Sequence, residues 1–283
     1  METKSKGYNL SIPVNGFHMS YDDVGEGKIP IIFLHGFPFD KSSWELQLEF
    51  LKFTYRLIAV DIRGFGESID KESPLSMDLF GDDLIQFMDE LKIEKAIICG
   101  LSMGGYIALN VHKRFPERFK AIILADTQCI ADTPEVKKNR YKTIDEIEAI
   151  GLTDFTEGFI KKIFHPDSMT NKKEVVEALR RVVFATSQSS MIRGLTALAE
   201  RSETCSSLQD ISIPTLIICG DEDQVTPIEQ SESMNSSISG SKLAIIENAG
   251  HVSNLEHPHE FAKALSEFLA ELDGVGIEEP AQS

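Results

Sequence analysis

Short apolar runs alternate with helical periodicity along most of the chain. Six runs are apolar without alternation: Ile29–Leu34, Leu57–Val60, Ala96–Cys99, Ala121–Ala125, Thr215–Cys219 and Leu243–Ile246. Strands apolar on both faces suit a parallel sheet covered by helices on each side. Ahead of them, Tyr8 to Val24 alternates about Asn15-Gly16, a dipeptide that tolerates the positive φ both positions of a tight hairpin turn require. The helical stretches carry their own punctuation. Ser42-Ser43-Trp44-Glu45 offers a capping box for a helix to Leu51, and Ser76 can cap a helix to about Leu91. Gly104 to Phe115 stops against Pro116, and Pro258 opens an amphipathic helix to about Leu272. The pattern predicts an α/β fold: a mostly parallel twisted sheet entered through an antiparallel hairpin, with right-handed crossovers and helices on both faces.

One stretch breaks the alternation. From about Thr127 to Thr204 no strand run is visible, only helical periodicity interrupted at Pro134, Gly151, Gly158, Pro166 and Gly194. This predicts a discontinuous core, 1–126 and 206–283, with a helical insertion at 127–205. Gly274 to Ser283 reads as a frayed tail.

Composition narrows the functional classes. A chain of 283 residues with 42% hydrophobic and 26% charged residues has the material for a sizeable core and is not a disordered or fibrous sequence. The formal net charge of −17 argues against a nucleic-acid partner, which needs Lys and Arg against phosphates, and against docking to anionic lipid. Met1 to Gly7 leads into alternating residues without an apolar segment, so no secretory signal is expected, and no apolar run is long enough for a membrane span. Cys99 and Cys219 end strand-like runs and read as buried free thiols, while Cys129 and Cys205 lack metal-ligand spacing. The expectation is a cytoplasmic, reduced, metal-free protein.

Candidate chemistry gathers at the ends of the apolar runs. Gly100-Leu101-Ser102-Met103-Gly104-Gly105 follows Ala96–Cys99 and opens the next helix. A nucleophilic Ser on a sharp strand-to-helix turn needs small residues two before and two after it, and both are Gly. A Ser hydroxyl also needs a base and an orienting acid. Of seven histidines, His251 lies in a loop after the last run, at the edge where open α/β sheets place their sites. For the acid, Asp221, Glu222 and Asp223 compete, with Asp126 as a fourth candidate. His35-Gly36-Phe37-Pro38 follows the first run and could supply one of two backbone donors to an oxyanion, Phe37, with Met103 supplying the other.

The sequence resembles the α/β-hydrolase superfamily. The resemblance rests on His35-Gly36-Phe37-Pro38, Asp61 through Ser68, Gly100 through Gly105, Gly220 through Pro227, and Ala249-Gly250-His251, in the family's order and at its strand ends. It spans about Asn9 to Leu272, although 127–204 resembles the family's helical lid only in position and character. The family's pattern places the acid three residues after the Gly and four before the Pro, which selects Asp223, and makes Asp61 and Arg63 part of a structural loop. Ser102 sets aside the branches with an elbow Asp, and Leu101 stands where ring-cleavage hydrolases tend to have Asn. The resemblance is strongest to the 3-oxoadipate enol-lactonase and small carboxylesterase group. It implies a cofactor-free enzyme that cleaves an ester or lactone of a small molecule through an acyl-enzyme, with Ser102, His251 and Asp223 as triad.

Two residues are candidates for substrate contact. Arg193 is the only charged residue from Val182 to Ala199 and could clamp a carboxylate, or could bury its stem and reach solvent or a helix end. Trp44 follows the His-Gly-Phe-Pro loop. Basic and acidic residues balance within 127–204, so the acidic surplus belongs to the core and does not weigh against an anionic substrate. Perhydrolysis and C–C cleavage could use the same triad, and a ligand sensor could keep the scaffold without turnover. Oligomeric state is not legible.

Overall fold

Eight strands form one sheet in the order β1-β2-β4-β3-β5-β6-β7-β8 in the computed structural model, which describes residues 6–272 and residue 274. They are β1 (Gly7–Val14), β2 (Phe17–Val24), β3 (Ile31–Leu34), β4 (Leu57–Val60), β5 (Ala96–Leu101), β6 (Phe119–Ala125), β7 (Thr215–Gly220) and β8 (Lys242–Ile246). The six apolar runs are the parallel strands β3 to β8. β1 and β2 form the antiparallel hairpin, with positive φ at both Asn15 and Gly16, and β2 joins the sheet antiparallel to β4. The tail predicted at 274–283 lies, except for Gly274, outside the described residues.

Helices cover both faces: α1 (Glu45–Leu51), α2 (Met77–Glu90), α3 (Met103–Arg114), then α9 (Ile228–Ser237), α10 (Ser253–Glu256) and α11 (Pro258–Leu272). Ser76 caps α2 as predicted, its hydroxyl accepting from the Leu79 N–H at 3.1 Å. The capping box at Ser42 does not form. Asp40 accepts from the Ser42 N–H instead and opens a 3-10 turn, Lys41–Trp44, that feeds α1. Trp44 is correspondingly not a substrate contact. It is fully buried between the rings of Phe33 and Phe261, with centroids 5.0 and 6.0 Å away.

Between β6 and β7 the described chain holds helices only: α4 (Pro134–Ile150), α5 (Thr153–Ile163), α6 (Pro166–Asn171), α7 (Lys173–Ala185) and α8 (Gln188–Ala199). Cys129 and Cys205 form a disulfide at the neck of this insertion, where the chain leaves and re-enters the sheet. The expectation of a fully reduced chain is therefore corrected. Spacing of 76 residues hid a pair that the two ends of the insertion bring together, where the Thr204 N–H also donates to the Cys129 carbonyl. Cys99 and Cys219 are buried free thiols. No helix among the described residues is long and apolar enough to cross a membrane.

The sheet order explains where chemistry can gather. From β3 the chain steps one way to β4, then passes back over β3 to reach β5 on the other side. The loops after β3 and β5 thus diverge from adjacent strand ends and open a crevice there.

Candidate active site

Ser102 occupies the turn between β5 and α3 with φ 51° and ψ −111°, a conformation that costs a non-glycine residue roughly 1–3 kcal/mol. The flanking glycines make the turn possible. A Cβ on Gly100 would lie 2.3 Å from the Gly104 backbone, and one on Gly104 would lie 2.2 Å from the Leu34 carbonyl oxygen. The strand and helix therefore cross at backbone contact. The strained residue is held from behind, its N–H donating to the Ala125 carbonyl at 2.9 Å and its carbonyl accepting from Thr127 Oγ1 at 2.7 Å.

Two further strand ends bring the remaining groups to Ser102. Its Oγ lies 2.8 Å from Nε2 of His251, which follows β8, and Nδ1 of His251 lies 2.7 Å from Oδ2 of Asp223, which follows β7. Asp223 is fixed in turn by the N–H groups of Val225 and Thr226, at 2.7 and 2.9 Å, and by the Thr226 hydroxyl at 2.7 Å. An Nδ1–H donated to Asp223 leaves Nε2 free to accept the serine proton. Of the competing acids, Glu222 lies beside His165 at 3.3 Å, and Asp221 accepts from the Ala249 N–H at 3.3 Å. Asp126 is buried behind the site, where it accepts from the Gly220 N–H and from the N–H and hydroxyl of Ser253. Only Asp223, among these four, contacts the imidazole.

The three titrating groups sense one another. Burial disfavours charge on His251, but the Asp223 carboxylate and its hydrogen bond outweigh it and raise the imidazole pKa above its ordinary value. Burial likewise opposes ionisation of Asp223, and the attraction of His251 with the Thr226 hydrogen bonds holds its pKa below the usual range. At Asp126 the balance falls the other way, despite attraction by His251 and hydrogen bonds from Ser253 and Gly220. Burial and repulsion from Asp223 push it up to about 7.

The β3 loop meets Ser102 at Gly36, where a Cβ would lie 3.3 Å from the Ser102 Cβ. This brings the next residue, Phe37, beside the N-terminus of α3, whose first N–H groups have no partners within the helix. His35 is structural. It donates from Nδ1 to the Gly36 carbonyl at 2.8 Å and accepts the Ile62 N–H on Nε2 at 3.0 Å, a pairing that fixes its tautomer. Asp61 holds Lys41 and the Glu67 N–H, and Arg63 makes a two-pronged pair with Asp83 and a further bond to Asp70. These loops carry no reacting group.

Arg193 is engaged by the core rather than by Ser102, His251 or Asp223. Its guanidinium donates to the carbonyls of Asp70 and Ser73 and stands 3.5 Å from the Asp70 carboxylate, so the carboxylate clamp predicted for it is corrected to a contact between α8 and the core. Two residues escaped the sequence reading. Thr226 is foreshadowed by its position three after Asp223, a spacing that lets a carboxylate accept from a turn. Glu256 carries no sequence signal at all, although its carboxylate is buried against the His251 loop.

The strand-to-helix serine, the triad geometry and the sheet order define a hydrolase scaffold, and the sequence model of the alpha/beta hydrolase fold family matches residues 29–258. The chain belongs to this family. It is 32% identical over 248 residues to 3-oxoadipate enol-lactonase 2 of Acinetobacter baylyi, covering 87% of this chain and 91% of that protein. Among solved structures it is similar to a thermophilic esterase from Thermogutta terrifontis, with TM-score 0.88, 30% identity and coverage of 93% and 98%. It is also similar to the enol-lactonase from Burkholderia xenovorans LB400, with TM-score 0.86, 26% identity and coverage of 92% and 100%.

Proposed function

We propose that the protein hydrolyses a carboxylic ester or lactone of a small molecule through an acyl-enzyme on Ser102. The observation that carries this reading is the unbroken chain Ser102–His251–Asp223, with contacts of 2.8 and 2.7 Å. Ser102 Oγ attacks the carbonyl carbon as its proton passes to Nε2 of His251, and Asp223 steadies the imidazolium. The Phe37 and Met103 N–H groups meet the oxyanion, where loss of one donor typically costs about 3–4 kcal/mol. Collapse breaks the acyl C–O bond, and His251 returns the proton to the departing alcohol, which in a lactone stays tethered to the acyl chain. Water, deprotonated by His251, then releases the acid. The names of the enol-lactonase and esterase relatives support this substrate class. The helices of 127–205 act as a lid, since α8 seats Gly194 against Phe37, where a Cβ would fall 2.6 Å from the ring.

Steady-state hydrolysis of short p-nitrophenyl esters and a lactone panel tests the reading. Ser102→Ala is expected to lower kcat by roughly 10³-fold or more. Retention of activity within about tenfold, or a single stoichiometric burst in the wild type, overturns it.

A further inference from the structure

We infer that Glu256 is a positioning residue that locks the His251 loop to the helical insertion and thereby holds the imidazole on Ser102. The inference rests on the proposed ester or lactone hydrolysis. Glu256 ends α10, five residues beyond the base, and is 1% exposed. Its two carboxylate oxygens are divided between two parts of the molecule. One accepts from the Gly250 N–H at 2.7 Å, immediately before His251, and the other accepts from the His165 N–H at 2.8 Å, at the junction of α5 and α6.

The surrounding contacts make the same junction. The His251 N–H donates to the Ile163 carbonyl at 2.7 Å, and Lys172 Nζ of the insertion donates to the Glu256 carbonyl. Gly250 leaves no space between the two parts, because a Cβ there would lie 2.6 Å from the Ile163 carbonyl oxygen. Asp126 fixes Ser253 from within the core, and Glu256 fixes Gly250 from the insertion side.

A buried carboxylate spanning two backbone donors is costly to disturb, since a lost acceptor leaves a desolvated N–H. A side-chain amide offers one acceptor oxygen for two donors and turns an NH₂ toward the other. Because the donors sit on different elements, either choice loosens the junction. Chemistry is sensitive to this, as a misplacement of about 1 Å can cost on the order of 10²-fold. The Glu256 carboxylate is buried on two backbone N–H groups and acts on the position of His251, so the defect is expected to fall on kcat.

Wild type, Glu256→Gln and Glu256→Asp are titrated with a p-nitrophenyl organophosphate, which phosphorylates Ser102 Oγ and releases p-nitrophenolate, so that kcat is expressed per reactive site. Both variants are expected to show kcat per titrated site lowered about 10–100-fold, with KM within about threefold of wild type. The rate of phosphorylation should fall in parallel. Hydrogen exchange should quicken at the Gly250 and His165 amides while β5 and β6 stay protected. A purely structural role predicts fewer titratable sites with unchanged kcat per site, and that result overturns the inference. So do unchanged exchange at Gly250 and His165, or a defect confined to KM. Should Glu256→Gln yield no folded protein, the kcat per site of Glu256→Asp decides. A wild type that is not labelled at Ser102 overturns the functional reading itself, an outcome distinct from labelled variants of undiminished kcat.

Discussion

His251 and Asp223 each have a pKa moved in the direction that favours the ion pair, and the reaction needs that pair in its other state. His251 must be neutral to take the serine proton, so the acid limb of kcat/KM is expected to have its midpoint above the ordinary histidine value of 6.5. Stability responds with the opposite sign. The raised His251 pKa contributes stability fully present below pH 6.5 and lost as pH rises through its folded value. The lowered Asp223 pKa contributes stability present above pH 3.8 and lost as pH falls through its folded value. Asp223→Asn should lower kcat by about 10⁴-fold and move the limb to lower pH, measured as kcat/KM from pH 5 to 9. A limb that stays in place would remove the carboxylate as cause. Asp126→Asn separates position from chemistry. It leaves the triad contacts but gives one acceptor oxygen to donors on both Gly220 and Ser253. The expected result is a loss of about 1–3 kcal/mol in denaturant unfolding with kcat within about tenfold of wild type.

At the scale of elements, two helical glycines in the insertion should answer alanine with opposite signs. Gly158 on α5 is exposed, and a Cβ there meets nothing within 4 Å, so Gly158→Ala should raise stability by about 0.5–1 kcal/mol through helix propensity alone. Gly194 on α8 faces Phe37 and Phe65, with ring carbons 2.6 and 2.9 Å from the ideal Cβ position. Gly194→Ala must push α8 or the Phe37 ring aside, costing about 1–3 kcal/mol and lowering kcat. Paired denaturation curves and kinetics check both signs. This contrast also marks the reach of the sequence. In periodicity both glycines are helix interruptions, and only tertiary packing separates them. β3 to β7 were legible because burial on both faces writes itself as an unbroken apolar run, and Gly100 and Gly104 were legible because close backbone crossing tolerates no side chain. The capping box at Ser42 failed because Asp40, two residues earlier, captures the same N–H in a tighter helix. Trp44 was misplaced because nearness in sequence to the β3 loop says nothing about which face of the sheet a side chain joins.

Across the whole molecule, contacts close the neck of the insertion and fasten the insertion to the core, and none was visible in the sequence because each joins residues far apart in it. The neck is closed by Cys129–Cys205, with the Thr204 N–H donating to the Cys129 carbonyl at 2.8 Å and Arg201 paired to Asp132 at 2.7 Å. The α5–α6 corner rests on the His251 loop. On the far side, Arg193 carries α8 onto the Asp70–Ser73 loop, which Arg63 ties to α2 through Asp83. An arginine that looked like a substrate clamp because it stood alone in an apolar helix is alone because its partners belong to the core. The two roles differ in what they predict for charge. A clamp discriminates anionic from neutral substrates, whereas a fastening of α8 alters access for both. Arg193→Ala should therefore change KM for an anionic ester and for its neutral isostere by the same factor, within about twofold, while quickening hydrogen exchange in α8. A rise of about tenfold or more confined to the anionic ester, the loss expected when a bidentate carboxylate pair is removed, would restore the clamp and displace the fastening.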